Sequence, residues 1–149
     1  MKKTYFLIRV LIIYLFFILN GFAAKSDYFD KGKILFDKKK FEKSKIFFER
    51  DIVFNHQSEK SYLYLAKIFN ESNNDQEQEI NLSNVLLLNP QNDEAIFMLA
   101  LLKIKQSNYS EAKELIKKFN LVCTSFCSKR TEIQEKFDKL EPENAKDNN

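Results

Sequence analysis

The sequence predicts an all-α protein in which helices follow one another in pairs and successive pairs stack side by side. Three observations predict it. From residue 25 onward, apolar residues recur at spacings of three and four, the mark of amphipathic helices. Glycine and proline occur only twice each, too few for the turns of a β-rich chain. Three segments, 25–58, 59–92 and 93–126, align at a period of 34 residues with no gap between them. At 149 residues, with 44% apolar and 30% charged, the chain suits one globular domain. Trp is absent, so the core has to be built from Phe, Leu and Ile.

The first two dozen residues stand apart from this pattern. Lys2 and Lys3 give a positive start, a greasy run is densest from Val10 to Leu19, and small residues follow at Gly21, Ala23 and Ala24. This is the layout of a secretory signal peptide, 1–23, with cleavage after Ala23. The rival reading is an uncleaved anchor: Thr4 to Phe22 is near the minimum length for spanning a bilayer, although Arg9 interrupts it. The leader carries Lys2, Lys3 and Arg9 and no acids. The 24 basic and 21 acidic residues of the whole chain therefore become equal once it is removed. A basic nucleic-acid-binding surface is not indicated.

The helices are expected near 27–37, 41–54, 59–70, 75–88, 93–106 and 110–120. The breaks between them are short and rich in Lys, Asn, Ser or Asp. Asn92 precedes Asp93 and Glu94, which suit the positive end of a helix. Asn108 with Glu111 fits a capping box. Pro90 ends the fourth helix, because it lacks an N–H and denies Asn89 the helical conformation. A further helix is expected over 129–140, with Ile133, Phe137 and Leu140 on one stripe and Pro142 as its stop. Residues 141–149 form a polar tail expected to be disordered.

The register of the repeat is carried by particular residues. Tyr28, Tyr62 and Ile96 coincide, as do Gly32, Ala66 and Ala100, and then Phe48, Leu82 and Ile116. The small residues lie midway along each first helix, where they let the second helix approach closely; Ser44 and Ala112 do the same on second helices. On these positions the chain resembles the tetratricopeptide repeat family. The match is clearest at Gly32, Phe41, Ser44 and Phe48, and again at Leu99, Ala100, Tyr109 and Ala112. It departs where Gln78 replaces a small residue, Asp75 an aromatic, Lys103 an aromatic, and His56 and Thr124 the boundary proline. The resemblance implies a right-handed superhelix of about three helix-turn-helix units over 24–140, closed by the C-terminal helix as a cap.

The resemblance also implies a concave face lined by the first helix of each pair. Its lining would be Phe29, Lys33 and Phe36, then Leu63, Lys67 and Asn70, then Phe97, Leu101 and Ile104. Such a groove would hold an extended peptide or a partner helix, with Lys33 and Lys67 free to meet a carboxylate. Each of these aromatics also has the alternative of packing between helices.

Cys123 and Cys127 follow the last repeat helix. In an oxidising compartment such a pair tends to form a bridge, which would fix the turn into the closing helix. Free thiols remain the alternative. A redox-active pair normally has two intervening residues and a βαβ setting, a metal site needs more ligands, and heme attachment needs a His where Ser128 stands. Catalysis has little material. The chain has one His, His56, in a unit boundary, and one of its two glycines lies in the leader, so it has no phosphate loop. The expectation is a non-enzymatic, exported bacterial protein of the periplasm or exterior, without metal or cofactor. Its partner is a protein or peptide rather than a nucleic acid or small molecule. It would touch the membrane only through an uncleaved leader, which would hold it at the inner membrane, and it would have an exposed end through which copies could associate.

Overall fold

The computed structural model describes residues 27–140; the expected signal peptide and polar tail lie outside the described residues. Seven α-helices and one 3-10 turn make up the described chain, with no strand among the described residues. We number them α1 (Tyr28–Asp37), α2 (Phe41–Phe54), α3 (Glu59–Glu71), α4 (Asp75–Leu88), α5 (Asp93–Lys105), α6 (Tyr109–Val122) and α7 (Arg130–Leu140). The 3-10 turn, Cys127–Lys129, leads into α7. Helices adjacent in sequence pack against each other throughout, and α7 closes on both α5 and α6.

The 34-residue period is a repeat of backbone geometry. Lys39, Asn73 and Ser107, one per unit, adopt the left-handed conformation at φ 55°, 55° and 58°. Beyond each, the next N–H (Lys40, Asn74, Asn108) bonds back to the carbonyl of Leu35, Phe69 or Lys103 at 2.9 Å. This is the Schellman ending of an α-helix, which satisfies carbonyls left over at the helix C-terminus. The same residues then open the second helices. Asn74 and Asn108 accept the N–H of Glu77 and Glu111, whereas Lys40 makes no side-chain cap. Asn92 likewise caps α5 through the N–H of Ala95, at 2.8 Å.

Within each hairpin the small residues set the approach. Gly32 lies against the fully buried ring of Phe48, so close that a Cβ built there would stand 2.7 Å from a ring carbon. Ser44 adds a hydrogen bond from its hydroxyl to the Gly32 carbonyl at 2.7 Å. In the next two units Ala66 and Ala100 carry methyls, and their register partners, Leu82 and Ile116, are smaller than Phe. Between hairpins the apolar seam is continuous. Phe48, Leu65, Ile68 and Phe69 join units one and two; Leu63, Ala66, Leu82, Val85 and Leu99 join two and three; Ile133 and Phe137 of α7 seal Ile96, Ile116 and Phe119. A single hairpin cannot bury both of its faces, so the stability of the array lies in these seams.

Acids at the heads of the first helices fasten the loops. Glu59, first residue of α3, accepts the side-chain amides of Asn89 and Asn92, at 3.1 and 2.5 Å. Asp93, first residue of α5 and one period later, accepts the backbone N–H groups of Thr124, Ser125 and Phe126 at 2.7, 2.6 and 2.9 Å. Burial pushes the Asp93 carboxyl up, but these N–H groups and that of Glu94 outweigh burial and hold it below the usual carboxylate range. Asp51 of α2, also buried, accepts the hydroxyls of Ser58 and Ser61 at the head of α3. The loop that Asp93 holds is closed on itself by a disulfide between Cys123 and Cys127, with Cα atoms 5.2 Å apart.

Candidate peptide-binding groove

The first helices of units two and three, α3 and α5, enclose an open cavity of about 370 Å³. Its apolar wall is Phe97, Met98, Leu101 and Leu102 of α5, with Phe126 from the disulfide loop at one end. Ring contacts hold Phe97 in place, with Phe119 at 5.8 Å and Phe126 at 5.9 Å between centroids. Asn70 of α3 and Gln78 of α4 bring side-chain amides to the wall, groups able both to donate to and to accept from a peptide backbone.

Two ion pairs frame the cavity. Lys67 of α3 meets Glu94 of α5 at 2.7 Å, and its ammonium lies 4.8 Å from the Tyr64 ring centre. Lys105 of α5 meets Asp75 of α4 at 2.6 Å. Behind the second pair Lys103, almost fully buried, bonds Glu79 at 2.7 Å and Glu111 at 3.1 Å. Burial pushes the Lys103 ammonium down, but the two carboxylates more than offset it and leave it above the ordinary lysine value. The Lys103 bond in turn holds Glu79 below the ordinary glutamate value, against burial. Lys103 occupies the register position of Leu35 and Phe69, so at this one place a polar cluster does the packing that apolar residues do in units one and two.

Of the nine groove residues expected from sequence, Lys67, Asn70, Phe97 and Leu101 come together in this cavity. The others do not reach it. Leu63 and Ile104 are buried in the seams. Phe29 and Phe36 pack edge-on against Tyr64 with ring centroids at 5.6 and 5.0 Å, so they serve the contact between units one and two. Lys33 is exposed and bonds Asp37 at 2.7 Å, which raises its pKa. Neither Lys33 nor Lys67 is a spare cation awaiting a carboxylate, because each already faces an acid of its own chain. Sequence reasoning did not place Gln78, Glu94, Met98, Leu102, Lys105 and Phe126 in the groove, nor Tyr64 beside Lys67. Met98 and Lys105 lie one helical turn from Leu101 on α5, a spacing that would have found them. His56 is an exposed loop residue. Among the described residues no cluster of three or more His, Cys, Asp or Glu is placed to hold a metal ion.

No family model matches this sequence, and no curated protein matches it. A solved structure does. The chain is similar to the type III secretion chaperone SycD of Yersinia enterocolitica, determined in complex with a peptide of the translocator YopD. The superposition has a TM-score of 0.69 at 12% sequence identity and covers 76% of this chain and 89% of that one. At this identity the likeness is one of fold. The architecture is a tetratricopeptide-like superhelix of helical pairs.

Proposed function

We propose that this chain is an exported, non-enzymatic scaffold that binds a peptide or partner protein in the groove between α3 and α5. The observation that carries the reading is the cavity itself: an apolar wall of Phe97, Met98 and Leu101, flanked by the amides of Asn70 and Gln78. Its cations are already neutralised by Glu94 and Asp75. A charged anchor would have to displace one of these pairs. An aliphatic or aromatic side chain on an extended peptide gains from burial with no such cost. The fold of a chaperone solved with a bound peptide supports a binding role of this kind. Export is argued from the leader and agrees with the Cys123–Cys127 bridge, which suits an oxidising compartment.

The test is site-specific photo-crosslinking in the native envelope. A photoreactive residue at Leu101 or Met98 is expected to capture a discrete adduct, and one at exposed Lys113 on α6 is not. Equal capture at all three positions would reject the groove. A second reading, a membrane-anchored accessory subunit of an envelope assembly or biogenesis complex, draws on the length and greasiness of Thr4–Phe22.

A further inference from the structure

Val53, Leu87 and Leu121 are each the penultimate residue of a second helix, are spaced by the 34-residue period, and are each 79% exposed. Large apolar side chains this open, in the same register in three units, form a row along one edge of the array. Phe54 and Leu88 widen it, at 69% and 38% exposure. Two turns earlier the same helical faces carry Ile46 and Ile80, but α6 has Glu114 there, so the feature common to all three units is at the edge. Apolar residues exposed singly at unrelated positions need no explanation, whereas three repeated in one register do.

The edge is also where the chain enters the domain. Tyr28, first residue of α1, stacks on Phe54 with ring centroids 5.4 Å apart. Only Ala23 to Ser26 separate Asp27 from the greasy stretch that ends at Phe22. Fully extended, that link reaches roughly 15 Å. If Thr4–Phe22 spans a bilayer, this edge is the part of the domain that the tether holds against the bilayer surface. Arg50 and Lys118 stand one helical turn before Val53 and Leu121, on the same faces, where they suit anionic headgroups; the acids beside them are Glu49, 3.8 Å from Lys45, and exposed Glu114, one turn before Lys118 and farther from the edge. No helix among the described residues is long and apolar enough to cross a membrane, so the contact is superficial.

We propose that the edge bearing Val53, Leu87 and Leu121 docks on an anionic bilayer surface, held there by a retained leader. The proposal rests on the membrane-anchored reading. The test exploits the absence of Trp from the chain. The full chain carrying Leu87→Trp, with Leu121→Trp as a second reporter and Gln76→Trp at the opposite edge as control, is reconstituted into phosphatidylethanolamine–phosphatidylglycerol vesicles with brominated acyl chains. Blue-shifted emission and quenching several-fold stronger at positions 87 and 121 than at 76 are expected. Equal quenching at the three positions in vesicle-inserted protein overturns the docking while leaving the anchor standing. Release of the protein by alkaline extraction overturns the anchor, and the docking with it, as would a native N-terminus at Ala24. A blue shift without lipid overturns it too: one that grows with protein concentration assigns the row to a second copy, and one independent of concentration assigns it to the leader.

Discussion

The carboxylate of Asp93 accepts the backbone N–H of Ser125 at 2.6 Å, joining the head of α5 to a loop 32 residues later. Thr124 and Phe126 point their N–H groups at the same oxygen, so one acid satisfies three donors in a turn that would otherwise leave them unpaired. The bonds are to an ionised acceptor, the stronger kind. Asp93→Asn keeps the shape and removes the charge, and is expected to cost roughly 2 kcal/mol or more in urea denaturation. Because the folded pKa of Asp93 is lowered, its contribution is complete above the unfolded carboxylate value. It is lost as pH falls through the folded value. The stability of Asp93→Asn is therefore expected to fall less steeply below about pH 4 than that of the parent. An unchanged acid slope would remove Asp93 as the source.

Gly32 and Phe48 are a matched small–large pair. Gly32→Ala gains helix propensity of about 1 kcal/mol but drives a methyl into a ring that cannot retreat. A net loss of about 1 kcal/mol is expected. Phe48→Leu alone leaves a void, whereas the double variant reproduces the Ala66 and Leu82 pairing of unit two. A double-mutant cycle should show the double variant more stable than the two single effects predict, by about 1 kcal/mol. Strict additivity would mean that the ring moves freely.

Lys40 is the one second-helix cap position in the three units that makes no side-chain cap, while Asn74 and Asn108 in register do. Lys40→Asn is expected to stabilise the chain by about 1 kcal/mol, read as a higher urea midpoint at unchanged slope.

The groove should respond to charge and be indifferent to remote aromatics. Leu101→Glu, with Leu101 only partly buried, is expected to abolish photo-capture at Met98 while leaving helical circular dichroism intact. Phe36→Ala should instead destabilise the domain by about 3 kcal/mol, since Phe36 packs on Tyr64 and Phe41, with little effect on capture once folded. The reverse pattern would move the site to unit one.

Replacing both Cys123 and Cys127 by Ser opens a very short loop and is expected to cost about 2 kcal/mol at most. Asp93 still holds the same loop, so α7 should stay docked in thermal melts.

The helical pairs were legible because the period-34 register and the three-to-four spacing both act locally. Asn92, Asn108 and Pro90 marked boundaries that the structure places within a residue or two. The groove was less legible. Phe29 and Phe36 carry the same side chain as Phe97, and only the neighbours decide where each ring packs: Tyr64 takes the first two, whereas Phe119 and Phe126 hold Phe97 against the cavity. Lys67 gave no sign of its partner, because Glu94 is 27 residues away and joins it only through the stacking of α3 on α5. The Asp93 staple was invisible for a different reason. A carboxylate that suits a helix N-terminus looks the same whether or not it also collects three distant amides.

The acids at the heads of α3 and α5 each fasten a loop about one repeat downstream, and the helices that pack most closely are neighbours in sequence. Few contacts therefore demand that distant parts of the chain find each other, and low contact order favours rapid folding. Each hairpin with its fastened exit is a template on which the next can form. Thermal unravelling should begin at α1, which has one hairpin neighbour and no acid of this kind among the described residues, and should reach the stapled third unit last.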